Sequence, residues 1–187
     1  MHRGYGGGIG ALKTEYLFDK EVERVLALLT PENRLVLRVC LATGLRVSDV
    51  LNLRPEQLKP HFWVTEQKTG KRRQVGLREP LLSDLQKAAG KIWVFPGRDA
   101  RKHRTRQAVW KDVKRAAVAL RLPQNVAPHS IRKVYAVDLL HKYGDIAKVQ
   151  RALNHSNAAV TLVYAMADSQ LEAKFRRRRS RAGRKPS

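Results

Sequence analysis

Residues 128–140, PHSIRKVYAVDLL, read as the first turns of a long core helix. Proline suits a first helical turn, where its missing N–H would have no partner anyway. The pattern predicts a helix running to Tyr143, with Gly144 positioned to end it. Ile131, Val134, Tyr135 and Leu139 fall on one apolar stripe, so one side of the helix belongs in a core. His129 and Arg132 are three residues apart, which puts their side chains roughly 60° from one another around the axis. They lie off the apolar stripe and point to one patch. A histidine after proline is commonly only an end residue of a helix. Paired with an arginine on a helix that also builds the core, it becomes a candidate anion site.

The flanking elements have the same character. Asp19 is placed to cap a helix through Leu29, with Val22, Val25, Leu26 and Leu29 on one face. Thr30 and Pro31 open a second helix to Thr43, and Gly44 closes it. Arg46 follows, and Ser48 to Leu53 is another turn or two of helix. Phe62–Glu66 and Arg73–Leu77 read as paired strands around a short KTGK turn, with Gly70 supplying a positive φ. Pro80–Ala89 is predicted as a short helix, Ile92–Phe95 as a short strand, and Thr105–Leu120 as an amphipathic helix. Asp145–Leu153 and Ala158–Met166 complete the series. The sum is a mainly α protein with one small antiparallel β-hairpin (α+β) and no internal repeat.

Composition narrows the class. With 187 residues and 43% hydrophobic content, the chain has room for one domain with a real core. No apolar run approaches a membrane span and no signal peptide is evident. Cys40 is the single cysteine; it excludes an internal disulfide and reads as a buried, inert thiol, consistent with a reducing cytoplasm. The formal net charge is +22, which points to a polyanionic partner, and nucleic acid fits better than membrane. The chain divides into a glycine-rich arm (1–16), a domain (17–175) and a basic tail (176–187) whose RRRRSRAGRKPS is either a phosphate-backbone contact or a solubilising end.

Four segments belong together: residues 41–53 (LATGLRVSDVLNL), 66–75 (EQKTGKRRQV), 128–140, and 153–165 (LNHSNAAVTLVYA). They carry Arg46, Lys68, His129 with Arg132, and His155 with Tyr164. In order and approximate spacing they resemble the tyrosine recombinase (phage integrase) family, over roughly Leu17 to Ala167. The resemblance implies a recombinase catalytic domain that acts on double-stranded DNA without cofactor or metal. It further implies a homo-oligomer, a tetramer on DNA, with accessory DNA-binding proteins as possible partners, in the cytoplasm (nucleoid) of a bacterial, phage or mobile-element context. The implied reaction is site-specific recombination or integration through a 3′-phosphotyrosyl intermediate. Two alternatives stand beside it: a type IB topoisomerase-like enzyme that relaxes DNA, and a non-catalytic DNA-binding regulator derived from an integrase.

The residue types suit that chemistry. Transesterification at a phosphodiester needs a nucleophile, neutralisation of the equatorial oxygens, and a proton for the departing oxygen. The planar forks of Arg46 and Arg132 suit the second task. Tyr164 has an ionisable oxygen to attack with, and nearby guanidinium charge favours its phenolate. His129 and His155 can move protons near neutral pH. His155 and Tyr164 are nine residues apart and fall on opposite faces of a straight helix, so the chain must break between them, at Ser156-Asn157. Lys68 opens the hairpin turn and matches the family's hairpin lysine, the general acid; Lys71 is the alternative. Asn154 stands where the family usually has glycine before the second histidine. Family members usually carry a further N-terminal helical domain, and only some 16 residues precede the first helix here.

Overall fold

The computed structural model describes residues 17–153. They form seven α-helices and one two-stranded antiparallel sheet. Helix α1 (Asp19–Leu28) buries Val22 and Val25. Asp19 is its first helical residue rather than its cap. At that end the Phe18 N–H donates to the Glu21 carboxylate at 3.0 Å. Helix α2 (Pro31–Thr43) ends at Gly44, whose φ of 66° is the left-handed turn a glycine makes without strain.

Thr30 sits at the start of α2 as expected, but its side chain does not cap the helix. Its hydroxyl and backbone N–H both donate to the Asp112 carboxylate, at 3.1 and 2.9 Å, and Asn33 adds a third bond to the same oxygen at 2.8 Å. A partly desolvated carboxylate on a neighbouring helix outcompetes the local amides, and the result ties α2 to helix α5 (Arg106–Ala119). Thr105 does cap α5, accepting from the Ala108 amide at 3.1 Å.

Helix α2 runs through the centre. It packs on helix α3 (Val47–Leu51), helix α4 (Leu81–Ala88) and helix α6 (Pro128–Tyr143). Val36, Leu37 and Cys40 of α2, Leu85 of α4, Val109, Val113 and Ala116 of α5, and Ile131 and Val134 of α6 share one apolar core. Each fully buried aliphatic side chain there contributes about 1.5–3 kcal/mol. Cys40 is part of that core, and burial raises its thiol to about 12. A smaller core of Ala136, Val149 and Leu153 docks helix α7 (Ile146–Leu153) against α6.

Strands β1 (His61–Thr65) and β2 (Arg72–Gly76) pair in register, with Phe62 opposite Val75 and Val64 opposite Arg73. The inward face carries Phe62, Val64 and Val75. Gly70 makes the left-handed residue of the turn, with φ 66°.

The expected strand at Ile92–Phe95 does not form. Val94 and Phe95 enter the core, but their backbone partners are isolated loop groups: Val94 N–H donates to Leu53 at 3.0 Å, and Phe95 accepts from Arg104 at 2.7 Å. Pro96, lacking an N–H, makes only a single bridge with His103. The Ala158–Met166 helix lies outside the described residues.

Candidate active site

The starts of α3, α5 and α6 converge on a cleft of about 580 Å³. Arg46, His129 and Arg132 line it, although they come from distant parts of the chain. Arg106, Gln107 and Trp110, from the first turn and a half of α5, also line it. Trp110 is an exposed large aromatic, with the Lys114 ammonium 5.6 Å from its ring centroid.

Arg46 precedes α3 in extended conformation, with φ −72° and ψ 150°. Its Nη1 donates to Glu66 Oε2 at 2.5 Å and lies 3.9 Å from Asp49 Oδ2. Both carboxylates are buried. Burial, reinforced by Glu66, lifts the Asp49 carboxyl above its ordinary value, against a hydrogen bond from Gln67 and the Arg46 charge. The pull of two acids fixes Arg46 at the mouth of the cleft with its side chain partly exposed.

Arg132 is held from inside. It retains only 2% of its surface, and its Nη groups donate to the backbone carbonyls of Gly44 and Leu153, the latter at 2.6 Å. The expected solvent-facing patch is therefore split: His129 is exposed, while Arg132 reaches the cleft from beneath. Arg73 makes the parallel connection, donating to the carbonyls of Ala152 and, at 3.0 Å, of Thr43. It is not a surface cation like Lys71 and Arg72. Strand alternation turns it inward with Val75, opposite Val64. Burial lowers its pKa, and the Glu66 charge is the strongest opposing influence.

Lys68 is exposed at the hairpin turn. Its charge is felt at His129, which is pushed down to about 4 by partial desolvation first and then by Lys133, Arg132, Arg46 and Lys68. That coupling places Lys68 on the same side of the molecule as the cleft. The imidazole is therefore neutral at pH 7, with one ring nitrogen to donate a hydrogen bond and the other to accept one. His155 and Tyr164 lie outside the described residues. The chain leaves α7 toward them at Leu153, whose carbonyl Arg132 holds.

Glu66, Asp49 and Arg73 were not among the residues singled out from sequence. A usable signal existed for two of them. Phe62, Val64 and Glu66 alternate inward along one strand, and Arg73, Val75 and Leu77 do so along the other. Asp49 had none beyond its position three residues after Arg46, which places both at one end of a short helix. Among the described residues no cluster of three or more His, Cys, Asp or Glu side chains is arranged to hold a metal ion.

Residues 15–170 match the model of the phage integrase family. A curated relative, the probable integrase/recombinase YoeC of Bacillus subtilis, is 31% identical over 128 residues, covering 65% of this chain and 70% of that protein. Against other curated relatives the chain spans about half of their length, 51% to 56%. The catalytic domain of bacteriophage HP1 integrase superposes with a TM-score of 0.64 at 26% identity, over 88% of this chain and 95% of that one. A lambda integrase dimer bound to a COC′ core site superposes with a TM-score of 0.68 at 19% identity, over 85% of this chain and 62% of that one, a likeness of fold.

Proposed function

The chain belongs to the phage integrase family of tyrosine recombinases, and from that premise we propose that it cleaves and rejoins double-stranded DNA in site-specific recombination. Tyr164 attacks the scissile phosphorus, the bond to the 5′ oxygen breaks, and the phosphate stays on the enzyme as a 3′-phosphotyrosyl ester. A 5′ hydroxyl from the partner strand then reverses the exchange, so the phosphoester bond energy is conserved. Arg46 and Arg132 bind the non-bridging oxygens. His129, neutral in this field, accepts a proton or a hydrogen bond near the phosphate, and His155 works beside it. Lys68 protonates the leaving oxygen.

One observation carries the reading: Arg46, His129 and Arg132 line a single cleft, in the order and with the residue types that phosphoryl transfer requires. The DNA-bound lambda integrase of the same fold supports DNA as the partner and assembly of several copies on it. We take a tetramer on DNA, with accessory DNA-binding proteins, as the working assembly, in the compartment that holds the DNA, the bacterial cytoplasm. The catalytic unit is residues 17–175, with the 176–187 tail adding phosphate contacts.

The deciding experiment uses a nicked suicide duplex that traps the covalent adduct. Wild-type protein should become linked to DNA through Tyr164 and Tyr164→Phe should not, while binding is retained. An adduct that persists in Tyr164→Phe, or that maps to Tyr135 or Tyr143, would overturn the assignment.

A further inference from the structure

A buried acid sits at the centre of this cationic site. Glu66 has no exposed surface, yet its Oε2 takes hydrogen bonds from Arg46 at 2.5 Å and from the Thr69 hydroxyl at 3.1 Å. Its Oε1 faces Arg73 Nε at 3.4 Å, an ion pair too poorly aligned to be a hydrogen bond. The Glu66 backbone closes the turn that carries Lys68: its N–H donates to Lys71 at 2.9 Å, and its carbonyl accepts from Gly70 at 2.8 Å. Arg73, in turn, spans to Thr43 and Ala152, the last turns of α2 and α7.

Such a placement is costly in two ways. Taking a carboxylate out of water is unfavourable unless cations and donors replace the water. A negative charge against Arg46 also weakens the positive field that would attract a phosphate. An apolar side chain would fill the same volume with neither cost. What the acid adds is direction, because a guanidinium fork held by one carboxylate has its remaining donors aimed.

We infer that Glu66 is a positioning residue for the proposed strand cleavage. Through one carboxylate it aims Arg46 at the cleft, seats the turn bearing Lys68, and, by way of Arg73, steadies the end of α7 from which the chain continues to His155 and Tyr164. It touches neither the phosphate nor the leaving oxygen. The inference rests on the strand-cleavage reading above.

The test is single-turnover adduct formation by the full chain on the suicide duplex at saturating DNA. Two variants are compared: Glu66→Gln, which keeps the shape and removes the charge, and Thr69→Val, an exposed change that removes one donor to Glu66 without disturbing the core. Misaim of a preorganised group by about 1 Å costs on the order of 10²-fold, so Glu66→Gln should cleave about 10- to 100-fold more slowly, and Thr69→Val should be slowed by a few-fold. DNA affinity should be unchanged or tighter, since a negative charge has gone.

The same duplex with a neutral methylphosphonate at the scissile position distinguishes positioning from general loosening. With one ionised oxygen removed there is less charge for Arg46 to meet, so the deficits of both variants should shrink to within about threefold of wild type. Wild-type rates in both variants would overturn the proposal, and so would deficits of equal size on the two substrates. If the wild type forms no Tyr164 adduct, the strand-cleavage reading falls and this inference with it. A wild-type adduct with unimpaired variants removes this inference alone.

Discussion

Arg73 and Arg132 hold the same two helix ends: Arg73 donates to the carbonyls of Thr43 and Ala152, and Arg132 to those of Gly44 and Leu153. The last carbonyls of a helix have no partner within it and carry the negative end of its dipole. At α2, whose end is marked by Gly44, the two guanidiniums meet such acceptors, and through their bonds to Ala152 and Leu153 they join α2 to α7. This clasp adds to the small apolar patch of Ala136, Val149 and Leu153 that seats the eight-residue α7.

Lysine cannot reproduce that clasp, because one ammonium does not span two carbonyls in a planar fork. Arg73→Lys and Arg132→Lys should each lower stability by about 2–4 kcal/mol, as expected for breaking a buried charged network. Urea unfolding measures the loss, and hydrogen exchange should show the α7 amides opening first. Unaltered α7 protection in both variants would refute the clasp.

Arg46 differs, since it is partly exposed and anchors no helix end. Arg46→Lys should stay within about 1 kcal/mol of wild-type stability. On the suicide duplex it should form adduct at least ~100-fold more slowly, as when a preorganised donor is removed from a developing charge. Near-wild-type cleavage would return Arg46 to the role of a surface charge.

The imidazole of His129 should titrate near 4 in the free protein, followed by its ring-proton NMR signals, rather than near 6.5. An unfolded His129 takes up a proton below about 6.5 that the folded one refuses until about 4, so stability falls as pH drops through that window and is fully present above it. His129→Gln should remove this part of the pH dependence. Binding a phosphate beside the ring should move its titration upward. A midpoint near 6.5 in the free protein would contradict the partial desolvation of the ring and the field of Lys133, Arg132, Arg46 and Lys68.

The two left-handed glycines flanking the site should respond unequally. A Cβ at Gly44 would enter the Tyr135 ring, whereas at Gly70 nothing lies within 4 Å. Gly70→Ala should cost about 1–2 kcal/mol, the backbone penalty alone. Gly44→Ala should cost more, about 3 kcal/mol or above, because overpacking adds to the same strain. Thermal denaturation of both variants decides this, and equal losses would mean that Tyr135 moves aside freely.

Much of the fold was legible because its signals were local. Pro31 and Gly44 bracket α2, Pro128 and Gly144 bracket α6, and Gly70 marks the hairpin turn. Failures came where a distant partner decided the outcome. Thr30 serves Asp112, 82 residues away, and Ile92–Phe95 is apolar enough for a strand but finds no strand to pair with. In the site, His129 and Arg132 were legible from their spacing on one helix, and Arg46 from the resemblance to the family. Arg73 was masked by its neighbours, since a run of three cations reads as solvated surface unless the two-residue period is followed through Val75. Glu66 was hidden for a related reason: it was read as the last residue of a strand, and an acid at a strand end two residues before the expected general acid reads as exposed. The readings of His155 and Tyr164 fall outside the described residues.

Salt acts differently on the two kinds of charge in this molecule. Exposed cations that meet DNA phosphates are screened within about 8 Å at physiological ionic strength, and binding through them weakens steeply as salt rises. The Glu66–Arg73 pair and the carbonyl bonds of Arg132 lie where mobile ions do not reach. Concentrated salt should therefore strip the protein from DNA while leaving Arg46 aimed and α7 seated. Dilution would then restore a site already set for the next duplex, with no refolding step between one binding event and the next.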